Sequence, residues 1–211
     1  MAAADPPTGM PAAPLLDRTI VVIGPTGAGK SVTGSALAKL LARPFVDSDH
    51  VLAAQYGLVP LLYARVGEAA FRRLEASTVA AILSGTPLSG TSLSGTSLSG
   101  TSRSGTSLSG TSGPLVLSLG GGAVMDATTR QLLGDLTVVW LDTDLRTVLP
   151  RLQAQASRPL FHDDLSGRWQ SNADARTPFY AEAATLRIDA RSGSPEELAE
   201  EIRSRLAGDH C

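Results

Sequence analysis

Thr19-Ile20-Val21-Val22-Ile23-Gly24-Pro25-Thr26-Gly27-Ala28-Gly29-Lys30-Ser31 is the stretch that decides the fold. Its first five residues form an uninterrupted, β-branched run. Such a run fits a strand buried on both faces of a parallel sheet. The next eight, Gly24 to Ser31, match G-x-x-x-x-G-K-[ST] in full. Glycines let the backbone curl so that its N–H groups point at phosphate oxygens. A helix beginning at Lys30 adds its positive end. The Lys30 ammonium would reach the β- and γ-phosphates, and the Ser31 hydroxyl would ligate Mg²⁺. The bland reading is an ordinary Gly-rich turn. The strand before and the helix after favour a nucleoside triphosphate site instead.

Working outward, strands and helices alternate. After the loop a helix is expected, with Val32, Leu37, Leu40 and Leu41 on one face. Phe45-Val46-Asp47-Ser48-Asp49 reads as a short strand ending in acid, and Ala69 to Leu83 as a helix. Leu115 to Leu119 is another buried-strand run, ending in Gly120-Gly121-Gly122. Thr129 to Leu133 is expected to be helical and Leu136 to Leu141 a strand, followed by a helix to about Gln155. Ser157 to Trp169 is expected to be irregular, and Ala173 to Ala184 a helix broken near Pro178. Thr185 to Ile188 reads as a strand and Pro195 to Leu206 as the last helix. This order predicts an α/β domain, a parallel sheet covered on both faces.

Composition narrows the function. The chain has 211 residues and a mass of 21.8 kDa, one α/β domain or one domain plus something extra. Aromatics are only 4%, so the core must come from Leu, Val, Ile and Ala. A net charge of −2 argues against a nucleic-acid partner. The one cysteine, Cys211, excludes a disulfide scaffold and a Cys-ligated metal. His50, His162 and His210 show no metal spacing. No apolar run is long enough for a membrane span. Residues 1–18 are expected to be a disordered lead-in without a secretory signal, leaving a cytoplasmic location as the default. Within the 19–211 domain, residues 84–113 repeat Ser-Gly-Thr-Ser-Leu six times with small variations. Each unit offers at most one Leu, too little to offset ordering entropy, so a flexible loop is expected.

Ligands of an open parallel sheet bind beyond the carboxyl ends of its strands. The phosphate loop, Asp47-Ser48-Asp49 and the Gly120 to Gly122 run all follow predicted strands, so they should converge on one crevice. In an extended segment Asp47 and Asp49 would point to the same side. One could serve a magnesium ion and the other accept a proton from a substrate hydroxyl. The alternative is a helix cap at Asp49. Arg72 and Arg73 are offset by about 100° on a helix, so at most one faces the crevice. Glu75 shares a face with Arg72 and could fix its guanidinium; the alternative is a solvated charged face.

Taken together, GPTGAGKS, FVDSD, GEAAFRRLE, LSLGGGAV, RPLF and RTPFY resemble the shikimate kinase family in order and spacing. The resemblance implies a three-layer P-loop kinase fold, with five parallel strands flanked by helices, acting as a monomer. It implies transfer of the ATP γ-phosphate to the 3-hydroxyl of shikimate with Mg²⁺. Gly27, Ala28, Gly29, Lys30, Ser31 and Val32 would wrap the phosphates. Asp49 would bind the shikimate hydroxyls and act as base, with Lys30 and Arg158 as the other catalytic groups. Asp47 would hold the metal through a water, beside Ser31. Arg72 and Arg176 would clamp the shikimate carboxylate, Gly120, Gly121 and Gly122 would approach the ring, and Tyr63 would wall it. Arg151 and the loop leading to Pro195 would sandwich adenine. Competing readings are a kinase for another hydroxy acid such as gluconate, and a non-catalytic nucleotide-binding module.

Overall fold

Strand β1, Ile20–Ile23, lies at the centre of the sheet in this structure, a computed structural model that describes residues 14–86, 113–154 and 164–208. All four β1 residues are buried. Ile20 and Val22 join one apolar cluster, Val21 and Ile23 the other. That alternation is what a strand covered on both faces requires. The other strands are β2 (Phe45–Asp47), β3 (Val116–Ser118), β4 (Thr137–Asp142) and β5 (Leu186–Asp189). Every pairing is parallel, and the order is β2-β3-β1-β4-β5. The expected α/β, five-stranded parallel architecture is present.

Among the described residues eight helices surround the sheet: α1 (Lys30–Leu40), α2 (Ser48–Tyr56), α3 (Val59–Val66), α4 (Glu68–Ser84), α5 (Ala127–Leu133), α6 (Leu145–Ala154), α7 (Leu165–Ala183) and α8 (Pro195–Gly208). One face of the sheet is covered by α1 and α8, through Leu37, Ala38, Leu198, Ile202 and Leu206. The other is covered from α4, α5 and α7, through Val79, Ile82, Leu133 and Tyr180. A small satellite core, Leu52, Leu62 and Phe71, joins α2, α3 and α4.

Several expectations need correction. The buried face of α1 is Thr33, Gly34, Leu37 and Ala38; Val32 is 56% exposed and Leu40 38% exposed. Small residues win there because α1 lies close to β2: a Cβ on Gly34 would stand 2.8 Å from Phe45. Ser157 to Trp169 is not irregular throughout. Asp164 caps α7 by accepting from the Gly167 N–H, and Leu165–Trp169 is its opening turn. Nor is α7 broken at Pro178. The carbonyl that Pro178 leaves unpaired belongs to solvent-facing Asp174, which reduces the cost. At the start of the chain, Leu15–Asp17 forms a 3-10 turn whose two leucines pack on the α8 side of the core. The Leu15 carbonyl accepts from Thr137 Oγ1 at 2.7 Å, so residues 14–18 do not belong to a disordered lead-in. Ser84 ends α4, and Gly85, at φ 65°, caps it. Residues 1–13, the repeat from 87 to 112, and Gln155, Arg158, His162, Asp163, His210 and Cys211 lie outside the described residues.

Candidate active site

The phosphate loop crosses from β1 to α1 at the carboxyl edge of the sheet. Gly24, Gly27 and Gly29 all have positive φ. At Gly24 the need is also steric, because a Cβ would stand 2.5 Å from the Leu141 carbonyl oxygen. Lys30 folds back and donates to the Pro25 carbonyl at 3.0 Å. Burial pushes the Lys30 ammonium below its usual range, with Asp49 and Asp47 pulling it back up. A cation held against desolvation in this way gains from an arriving anion. Arg151, exposed on α6, donates to the Gly27 carbonyl at 3.3 Å and so stands beside the same loop. Val32 faces outward in the first turn of α1, and Pro195 begins α8.

Asp47 and Asp49 do not line one side of an extended strand. Asp47 ends β2 and caps α2, its Oδ1 accepting from the backbone N–H groups of Asp49 at 3.0 Å and His50 at 3.3 Å. The capping aspartate is therefore Asp47, and Asp49 sits in the helix's first turn. The other Asp47 oxygen accepts from Ser31 Oγ at 2.5 Å. Two hard oxygen groups thus meet where the phosphate loop ends, a donor set that suits Mg²⁺. Among the described residues no group of three or more His, Cys, Asp or Glu could hold a metal. Mg²⁺ is compatible with that, since it keeps waters and takes most other ligands from substrate phosphates.

Asp49 lies on the floor of the cleft. Its side chain still meets solvent, yet protein walls it closely enough that desolvation raises its pKa. The charge of Asp47 raises it further, while Lys30, His50 and Arg72 oppose the shift. A Cβ on Gly120 would stand 2.7 Å from Asp49 Oδ1, so only glycine lets this carboxylate occupy its place. The Gly120 N–H donates to Ser48 Oγ at 3.1 Å, joining the two loops. Ser48 had no signal in the sequence beyond lying between two acids.

Arg72 occupies the space beside Gly122, where a Cβ would fall 2.6 Å from its Cζ. Its Nη1 is 2.6 Å from Glu75 Oε2, and the Glu75 side chain is only 2% exposed. Burial raises the Glu75 pKa, and Arg72 opposes that. The expected Arg72–Glu75 pairing is therefore present, and Arg73 faces solvent. Tyr63 packs edge-on against Phe71 at 5.3 Å and is 38% exposed at the rim. Arg176 on α7 donates to Asn172 at 3.1 Å. Its charge also acts on Lys30, Glu75 and Tyr180, so it belongs to the same cleft. His50 is exposed at the mouth, 3.9 Å from Asp47.

Two aromatic hydrogen bonds were not legible in the sequence. Trp169 donates its indole N–H to the Thr26 carbonyl at 2.8 Å, and Tyr180 donates its hydroxyl to the Gly121 carbonyl.

Comparison with known proteins places this geometry. The family model described as shikimate kinase matches residues 26–92 and 106–207. A shikimate kinase of Corynebacterium efficiens is 33% identical over 192 residues, 90% of this chain and 97% of the relative. One from Symbiobacterium thermophilum is 34% identical over 192 residues, 89% and 95% of the two chains. Among solved structures, a shikimate kinase from Acinetobacter baumannii in complex with shikimate is similar at a TM-score of 0.74 and 28% identity. That match covers 92% of this chain and 94% of the other.

Proposed function

This chain belongs to the shikimate kinase family, and on that premise we propose that it transfers the γ-phosphoryl group of ATP to the 3-hydroxyl of shikimate, giving shikimate 3-phosphate and ADP. The observation that carries the reading is the acceptor half of the cleft. A guanidinium fixed by a buried glutamate and a carboxylate on the cleft floor both lie against one glycine loop. That loop in turn touches the phosphate loop.

Asp49 is the base. Its raised pKa strengthens it as a proton acceptor for the attacking hydroxyl. Arg72 and Arg176 take the carboxylate of shikimate, the planar pairing that guanidinium groups favour. Gly120, Gly121 and Gly122 let the ring approach the backbone, with Tyr63 as the outer wall. Gly27, Ala28, Gly29, Lys30, Ser31 and Val32 surround the phosphates. Lys30, in the phosphate loop, is the cation for the transferred group, with Arg158 as a second by resemblance to the family. Arg151 and Pro195 flank adenine, the first supported by its contact with Gly27. Ser31 and, through water, Asp47 would hold Mg²⁺, which offsets phosphate charge during transfer. Among the described residues no helix is long and apolar enough to cross a membrane. The family resemblance supports a monomer in the cytoplasm.

A coupled ADP-release assay with shikimate and with gluconate tests the reading. Turnover of shikimate is the expected result; turnover of gluconate alone would overturn it. The repeat bears on a second test. Its described flanks, the end of α4 and the start of β3, lie at the edge of the sheet opposite the cleft. Deleting Ser84 to Gly113 and restoring a short turn should leave kcat/KM within a few-fold, because lengthening a surface loop is thermodynamically mild. A tenfold or larger fall would place the repeat in catalysis.

A further inference from the structure

Resting on the reading above, we propose that α7 is a strut that sets the spacing between the phosphate loop and the glycine loop, with Trp169 and Tyr180 as its positioning residues. The two loops belong to different strand–helix units and hold different substrates. Trp169 donates to Thr26 across 143 positions of sequence, and Tyr180 donates to Gly121 across 59. Both rings are buried, Trp169 to 7% exposure and Tyr180 to 1%.

The geometry closes a circuit. Trp169 and Tyr180 are three helical turns apart, so they share one face of α7, their Cα atoms separated by about 16 Å along the axis. Both rings reach inward to loops that touch each other. A Cβ on Gly121 would stand 3.1 Å from Thr26 Oγ1 and 3.2 Å from Thr26 N. The path runs from α7 through Trp169 to Thr26, across to Gly121, and back through Tyr180. Arg176 projects from the same helix between the two rings.

Each component suits a rigid spacer. Aromatic rings span distance with few rotatable bonds, and their polar tips find partners when buried. Tyr180 also stacks on Trp140 at 5.9 Å, which fixes its ring. Burial pushes the Tyr180 hydroxyl up to about 12, so it remains a donor throughout the neutral range. If each ring merely filled space, its loss would affect only the loop it touches. A strut transmits the loss to the other loop as well.

That difference is measurable in steady-state kinetics. Tyr180→Phe removes a hydroxyl from the acceptor side and is expected to raise KM for ATP as well as for shikimate. Trp169→Phe removes an N–H from the phosphate side and is expected to raise KM for shikimate as well as for ATP. Each cross-effect should be roughly three- to tenfold, the scale of one intramolecular hydrogen bond. Once the circuit is open at one point a second opening adds less. The double variant should therefore lose less than the product of the single losses. If Tyr180→Phe does not fold, Gly121→Ala presses the loops apart at their contact and should raise KM for ATP. Variants that move only the KM of the substrate at their own loop, or that combine multiplicatively, would overturn the strut. Shikimate turnover by the parent chain, measured in the same series, checks the underlying reading separately.

Discussion

Asp49→Asn is expected to lower kcat by about 10²- to 10⁴-fold, the usual contribution of a positioned base, and at the same time to make the fold slightly more stable at neutral pH. Both effects come from one cause. Asp49 is walled by protein and stands near the charge of Asp47, which together raise its pKa from the usual 3.8. A raised carboxylate holds its proton more tightly in the folded chain than in the unfolded one. Stability is therefore fullest below the unfolded pKa and falls as pH rises through the folded value. At neutral pH the ionised group is a cost that the proposed role as base requires and folding does not. Asparagine keeps the shape without the charge. The gain is limited to a few degrees in melting temperature, because the side chain still meets solvent and the repulsion is screened. Thermal melts at pH 7 and near pH 4 should show the difference between variant and parent narrowing as the parent's carboxylate takes up its proton. ATP binding, measured by calorimetry, should survive. Retained turnover would remove Asp49 from the role of base.

Which parts of this site can be read from sequence depends on how local the physics is. The phosphate loop is legible because positive φ at Gly27 and Gly29 is a requirement of the loop itself, so the spacing carries it. The Arg72–Glu75 pair is legible because three residues on a helix define one face. The Asp47-Ser48-Asp49 arrangement is ambiguous at short range. A strand that continues and a strand that ends in a helix cap share the same acidic residues, and packing of α2 on α3 and α4 decides between them. The opening of α7 is hidden in the sequence because Gly167 looks like a loop residue, yet its N–H is the one Asp164 caps. The bonds from Trp169 to Thr26 and from Tyr180 to Gly121 have no local signature. Each joins a helix to a loop brought near only by the order of the strands.

Removing Arg72 should do the greatest damage to stability, and the damage should be reversible by a second substitution. Glu75 is almost fully buried and its charge is met by Arg72 at 2.6 Å. A more distant contact of Arg72 with exposed Glu68, at 3.8 Å, contributes little. Arg72→Met leaves the Glu75 carboxylate buried without its paired guanidinium, which costs about 3–5 kcal/mol for a broken buried pair. The sign with pH follows from burial, which already raises the Glu75 pKa while Arg72 opposes it. Without Arg72 the folded chain favours the protonated acid still more. The deficit should be largest at neutral pH and should close as pH falls into the carboxylate range. Arg72→Met with Glu75→Leu removes both charges, and apolar replacement of a whole buried pair is often neutral. Urea denaturation should therefore find most of the stability restored in the double variant. Shikimate turnover should not return, because Arg72, proposed to take the shikimate carboxylate together with Arg176, is gone. A double variant that regained both stability and shikimate KM would show that Arg72 serves the fold and not the substrate.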